Sequence, residues 1–179
     1  PQYIELTTGV TKEGRILGVH GKFILDGGSY TSLGIASAYY AGSMLPIVYE
    51  FEHFRFDCFR VHTNLPSCAA QRGHGVPQPR FAFESHLDMI AKDLGLDPIE
   101  IRKLNARRPN TTTLNDLKIN SCEFTACLDK AKAVSGWEAK KGKLPPGQGI
   151  GVGCGAFVTG AGYPIYRTKM PHSAAVITV

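Results

Sequence analysis

Residues 71–94 read Gln71-Arg-Gly-His-Gly-Val-Pro-Gln-Pro-Arg-Phe-Ala-Phe-Glu-Ser-His-Leu-Asp-Met-Ile-Ala-Lys-Asp-Leu94. Phe83, Leu87, Ile90 and Leu94 recur at steps of four, three and four, which predicts a helix over 79–94 with one apolar face and a stop at Gly95. Ahead of that helix two glycines frame His74, so the backbone can turn sharply and bare its N–H groups. The helix would aim its positive end back at the turn, an arrangement suited to an oxyanion, a phosphate or an oxo ligand. The turn is neither a P-loop nor a dinucleotide fingerprint, because G-x-x-x-x-G-K and G-x-G-x-x-G are both absent. On these residues alone, a purely structural turn stands as the alternative.

Upstream the chain reads as β structure. Tyr3-Ile-Glu-Leu-Thr-Thr-Gly-Val10 alternates, Lys12-Glu-Gly14 turns, and residues 15–25 form a second strand, which together predict a hairpin. Asp26-Gly-Gly28 closes it. Residues 29–44 have weak periodicity and read as a loop with a short helix, and a further strand is expected over about 54–63. Downstream, Asp97-Pro98-Ile99-Glu100 is a helix start, with Asp as N-cap and Pro in the first position, and Ile101 and Leu104 supply its buried side. Ser121 is expected to cap a third helix that carries Phe124, Cys127, Leu128, Ala131 and Val134 and stops at Gly136. The predicted fold class is α+β, with β-hairpins and a mixed sheet packed with about three helices. Residues 139–149 read as a connector, and 150–158 as a strand with glycine at alternate positions, which would open one face to a ligand or another backbone.

Composition narrows the function classes. The 179 residues carry a net charge of +5 from 20 basic and 15 acidic residues, and the excess is scattered in small clusters. A nucleic-acid binder would concentrate that charge on one element, so no nucleic-acid partner is expected. No apolar run approaches the roughly 18 residues of a membrane span, so no membrane partner is expected either. The five cysteines (Cys58, Cys68, Cys122, Cys127 and Cys154) show no C-x-x-C spacing, and no metal site within the chain is predicted. They read as small buried hydrophobes in a reducing, cytoplasmic compartment. His20, His53, His62, His86 and His172 lack ligand spacing and are assigned structural roles; Phe81, Phe83, Leu87 and Ile90 are assigned to the core.

A wider pattern then emerges. Thr63-Asn-Leu-Pro66, Gln71-Arg-Gly-His-Gly-Val-Pro-Gln78, Phe83-Glu84, Asp88, Ala91, Leu94-Gly-Leu-Asp-Pro98, Glu100, Arg102 and Asn105 follow one another in an order and spacing that resemble the molybdenum hydroxylases. This is the xanthine dehydrogenase family, in its large molybdopterin-binding subunit, and the resemblance runs over nearly the whole chain. Asp26-Gly-Gly-Ser-Tyr30, Tyr39-Tyr40-Ala-Gly42, Gly162-Tyr-Pro-Ile-Tyr166 and Met170-Pro-His172 lean toward its 4-hydroxybenzoyl-CoA reductase branch.

The resemblance implies roles. The cofactor would be molybdopterin with molybdenum, in its cytosine dinucleotide form, with FAD and iron–sulfur clusters on partner subunits. Gln71, Arg72 and Gly73 would lie against the cofactor, which they meet through backbone N–H groups. His74 stands where xanthine dehydrogenases carry a pocket Phe, which favours a more polar aromatic substrate than a purine. Tyr40 falls where purine-oxidising members hold a substrate-orienting Arg, and its phenol could give a proton to the reacting ring. Tyr39, its neighbour, is the alternative inward tyrosine, and Phe157 corresponds to another pocket wall. The substrate so implied is an aromatic acyl-CoA, reductively dehydroxylated; oxidative hydroxylation of a xanthine, an aldehyde or an N-heterocycle is the alternative. The family's glycine-rich loops and its active-site glutamate have no counterpart here. The implied organisation is a first cofactor-binding subdomain over 1–138, the connector 139–149, and the start of a second subdomain over 150–179. A chain starting at Pro1 and stopping in the strand-like run to Val179 is then expected to be a slice of a longer catalytic subunit, and the other reading is an inert fragment or interaction module.

Overall fold

A computed structural model describes residues 1–157 and 175–178. Strands β1 (Gln2–Val10) and β2 (Ile16–Asp26) form the expected hairpin, antiparallel from Gln2 opposite Leu25 to Val10 opposite Ile16, with a register shift at Gly9/Val10. The third strand, β3 (His53–Val61), runs parallel to β2, from Gly18 opposite His53 to Asp26 opposite Val61. A parallel pair cannot be closed by a tight turn and needs a crossover. Helix α1 (Gly34–Ser43) and the 3-10 turn Leu45–Ile47 supply it, so the segment with little periodicity holds a ten-residue helix. The sheet is therefore mixed, in the order β1-β2-β3.

Alternation decides which face is covered. Ile4 and Leu6 of β1, Val19, Phe23 and Leu25 of β2, and Phe54 and Phe56 of β3 point to the side on which α1 and α2 (Pro77–Leu94) lie. Phe83 and Leu87 of α2 are fully buried there against Ile16, Leu45, Tyr49 and Phe51. Phe81, expected in the core, is 76% exposed, because it precedes Phe83 by about 200° around the helix. Helix α2 begins at Pro77, two residues earlier than the periodicity suggests; a proline suits the first position of a helix, whose N–H is unpaired in any case.

Helix α3 (Pro98–Leu104) starts as the sequence predicts: the Asp97 carboxylate accepts from the backbone N–H of Ile99 at 2.8 Å and of Glu100 at 3.2 Å. Its buried side is Ile99, Ile101 and Arg102, whereas Leu104 is exposed. Arg102 joins a buried network. Its guanidinium donates to the Glu84 carboxylate at 2.8 Å, to Asp88 at 2.7 Å and to the carbonyls of Pro98 and Glu84; the Tyr49 hydroxyl donates to Glu84 at 2.8 Å. Asn105 accepts from Ile16 N–H and donates to the carbonyls of Gly14 and Ile101, which ties the hairpin turn to α3. Glu84, Asp88 and Arg102 of the long motif thus lock α2 to α3, and Asn105 ties both to the hairpin.

The short strands β4 (Thr111–Thr112) and β5 (Lys118–Ile119) pair antiparallel. Helix α4 (Phe124–Ser135) starts after Glu123 without a side-chain cap, so the cap expected from Ser121 does not form. Gly136 ends it with φ 67°, and the one-turn α5 (Trp137–Lys140) enters what was read as connector. Residues 150–157 form no helix and join no ladder among the described residues. Their alternation is nonetheless real, since Val152, Cys154 and Ala156 turn toward the helices while a Cβ at Gly151 or Gly153 would meet nothing. Cys58 and Cys154 pack half-buried against the core clusters as expected, Cys68 and Cys122 are half-buried, and Cys127, expected to pack, is exposed. Residues 175–178 are exposed and form no strand; Gly162–Tyr166, Met170–His172 and the rest of the terminal run lie outside the described residues.

Candidate functional site

The loop at 71–76 is made of two overlapping turns. His74 N–H donates to Gln71 O at 2.8 Å and Val76 N–H to Gly73 O at 2.9 Å. Gly73 (φ 84°) and Gly75 (φ 77°) take the left-handed conformation the turns need. A side chain at Gly75 would also run into the backbone carbonyl of Ser37 in α1, so the loop lies directly on that helix. Among the described residues, no acceptor takes the N–H groups of Arg72, Gly73 and Gly75. Helix α2 contributes less than its position suggests. Pro77 and Pro79 have no N–H to give and Arg80 N–H is spent on Val76 O, so in the first turn Gln78 alone keeps a donor for a ligand. The donors of this site belong to the loop.

Gln71, Arg72, His74, Gly75, Pro77 and Gln78 line one side of a cleft of ≈ 450 Å³, and Asp26, Gly34, Ser37, Arg60 and Cys68 line much of the other. Gln71 and Arg72 are exposed and His74 is half-buried. His74 Nε2 lies 2.8 Å from Ser37 Oγ. Behind it, the Tyr40 ring is 5.6 Å from the imidazole and 5.7 Å from Phe157, centroid to centroid. The structure therefore brings Tyr40, His74 and Phe157 into one aromatic group beside the loop. Tyr40 is only 3% exposed, however, and is not among the residues lining the cleft; Tyr39, 40% exposed, stands outside the group. Burial raises the Tyr40 phenol above its ordinary value of 10, which disfavours the phenolate further.

The remaining histidines have local partners where any are seen. His20 pairs with Asp57 at 2.8 Å, His62 with Gly28 O at 3.1 Å and His86 with Thr8 at 3.1 Å. Among the described residues, no three His, Cys, Asp or Glu side chains gather as a metal site, and no helix is long and apolar enough to cross a membrane. Two cleft residues were not singled out by the sequence reading, Ser37 and Arg60. Arg60 had a signal: it takes the inward position after Phe54, Phe56 and Cys58, where alternation calls for an apolar side chain.

A glycine-turned loop with spare N–H groups, an arginine within it and a cleft alongside is complementary to an anionic, oxygen-rich ligand, on a mixed-sheet domain. A family-level match to the molybdopterin cofactor-binding domain spans residues 1–106, and the chain belongs to that family. The xanthine dehydrogenase molybdenum-binding subunit of Escherichia coli O157:H7 is 33% identical over 157 residues, 84% of this chain and 21% of that protein. The nicotinate dehydrogenase large molybdopterin subunit of Eubacterium barkeri is 35% identical over 133 residues, 74% of this chain and 31% of that protein. Among solved structures, the aldehyde oxidoreductase of Desulfovibrio gigas superposes with a TM-score of 0.74 at 25% identity, over 81% of this chain and 16% of that one. The chain thus corresponds to part of a large molybdopterin-binding subunit of the molybdenum hydroxylases, and spans about a fifth to a third of the curated relatives named here. The loop fits such a group: three spare N–H donors, the Arg72 guanidinium and the Gln71 and Gln78 amides are complementary to a phosphate-bearing, oxo-rich ligand.

Proposed function

We propose that this chain supplies one wall of the active site of a molybdopterin-dependent oxidoreductase that acts on a polar aromatic substrate. Gln71, Arg72 and Gly73 hold the cofactor through loop N–H groups, and bound molybdenum supplies the two-electron step. The observation that carries the substrate reading is the meeting of His74, Tyr40 and Phe157 beside that loop. An imidazole offers a ring-bound substrate a hydrogen bond that a phenylalanine could not. Tyr40, protonated at neutral pH as a phenol is, acts as the proton donor once the substrate ring displaces the contact that covers it, with Tyr39 as the alternative donor.

The first substrate is an aromatic acyl-CoA of the 4-hydroxybenzoyl type, dehydroxylated reductively. The names of the nicotinate and aldehyde enzymes among the relatives favour a second reading, hydroxylation of an N-heterocycle or an aldehyde. In either case the cofactor is the cytosine dinucleotide form, FAD and iron–sulfur clusters sit on partner subunits, and the complex is cytoplasmic. Residues 1–138 then form a first subdomain, 139–149 its connector, and 150–179 the start of the next.

The test is turnover by the complete complex containing this subunit, on 4-hydroxybenzoyl-CoA, nicotinate, an aromatic aldehyde and xanthine, alongside molybdenum analysis. Stoichiometric molybdenum and a preference for the acyl-CoA are expected, and His74→Phe is expected to shift preference toward xanthine by about tenfold or more. A molybdenum-free complex, or a preference untouched by His74→Phe, would refute the reading.

A further inference from the structure

Arg60 occupies the last inward position of β3, just beyond the cluster in which Phe56 meets Phe23 edge-on at 4.9 Å. Its guanidinium donates to Gly27 O at 3.0 Å and to Cys68 O at 3.3 Å. The Cys68 N–H donates to the same Gly27 carbonyl at 3.2 Å, so Arg60, Gly27 and Cys68 form a closed triangle. Two glycines make room for it. A Cβ at Gly27 would stand 3.0 Å from Arg60 Cζ, and a Cβ at Gly34 would overlap the guanidinium. Gly34 begins α1 and is not among the residues with positive φ, so its backbone does not demand glycine. Alanine is the better helix former there, and the arginine is what excludes it.

The position of the triangle gives it a consequence. Cys68 is the last anchored residue before the loop; beyond it the next ties are the 71–76 turns and the His74–Ser37 bond. Arg60 on one side and α1 on the other therefore bracket Gln71, Arg72 and Gly73, and the same guanidinium lines the cleft. We propose that Arg60 is the positioning residue for the cofactor-facing loop, clasping the end of β2, the first turn of α1 and the segment that leads into Arg72. This rests on the reading of that loop as the cofactor's seat. The arginine touches no reacting atom; it fixes where the loop's N–H donors stand, and a fixed donor loses less entropy on binding than a mobile one.

The experiment uses the assembled, full-length enzyme in five forms: wild type, Arg60→Met, Arg60→Lys, Gly34→Ala and the Arg60→Met/Gly34→Ala double variant. Arg60→Met is expected to speed amide hydrogen exchange in 68–75 about tenfold while α3 and α4 keep their protection, because the opening is local. Molybdenum per subunit should fall in parallel, and Arg60→Lys should recover part of both. Gly34→Ala should reproduce the loosening by displacing the guanidinium, yet add nothing in the Arg60→Met background. Should Arg60→Met fail to fold, Gly34→Ala carries the same test.

Unchanged exchange in 68–75 would overturn the clasp, as would additive effects of the two substitutions. Faster exchange with full molybdenum content would overturn the link from clasp to cofactor. A wild-type complex devoid of molybdenum would refute the functional reading instead, and the exchange rates would still decide the clasp.

Discussion

His74 Nε2 lies 2.8 Å from Ser37 Oγ, so the loop bearing the arginine–glycine pair is pinned to α1, an element 37 positions earlier in the chain. The bond orients the imidazole, and the adjoining Gly75 sits against the same serine's carbonyl. Ser37→Ala removes the bond and leaves the helix intact. We expect a loss of about 0.5–1.5 kcal/mol in urea denaturation. In a His74→Phe background the loss should disappear, since no partner is left; a full loss there would show that Ser37 acts through something else.

Gly75 and Gly95 share a left-handed backbone but not their surroundings. Gly75 has φ 77° with the Ser37 carbonyl where a Cβ would go, whereas Gly95 has φ 69° and open space. Gly95→Ala should cost only the conformational penalty, about 1–2 kcal/mol. Gly75→Ala must also push the loop off α1, and should cost clearly more in the same denaturation series. Equal costs would mean that the loop is not seated on the helix.

Arg102 is fully buried, and it pairs with the buried Glu84 carboxylate at 2.8 Å and with the half-exposed Asp88 at 2.7 Å. Glu84→Ala leaves that guanidinium with two backbone carbonyls and the half-exposed Asp88, and takes from buried Arg80 its Glu84 partner, which predicts a destabilisation of about 3–5 kcal/mol. Replacing both Glu84 and Arg102 with leucine should recover part of that loss, since the Arg102 charge is then gone. It should not recover all of it, because buried Arg80 still loses its Glu84 partner at 3.8 Å and the Tyr49 hydroxyl its acceptor. Urea titration of the two variants separates these outcomes.

Asp97 caps α3 and also accepts from the Trp137 indole N–H at 2.8 Å. Burial works against its charge, but the bonds from Trp137, Ile99 and Glu100 outweigh it and hold its pKa below the ordinary 3.8. A depressed carboxylate stabilises the fold fully above its unfolded pKa, and that share is lost as pH falls from 3.8 through the lower folded value. Stability of the wild type should therefore drop further between neutral pH and acid than that of Asp97→Asn. Parallel acid dependences in the two proteins would rule the contribution out.

The hairpin, the α2 face and the Asp97 cap were all legible because each depends on residues within a few positions of one another. Alternation places Ile4 and Leu6 on one side of β1, a four-three spacing places Phe83, Leu87 and Ile90 on one side of α2, and Asp97 reaches N–H groups two and three residues ahead. The segments misread lacked such local terms. Residues 34–43 are small and nearly patternless, and they are helical because Ala41 packs on Phe23 and Leu25 and because β3 must return parallel to β2. Residues 150–157 alternate as a strand should, yet a strand is a pairing property and no described neighbour pairs with them.

The loop at 71–76 divides in the same way. Its glycines, its turn and its kinship to a cofactor-binding family could be read along the chain, since a backbone with φ above zero and a motif at fixed spacing are one-dimensional facts. The three-dimensional fold was needed to show that two prolines strip the helix start of donors, that His74 leans on Ser37, and that Tyr40 lies buried behind it. It was also needed to bring Arg60 to Gly27, Gly34 and Cys68. Those are contacts between elements, set by how the sheet, α1 and the loop pack, and no local preference of the residues specifies them.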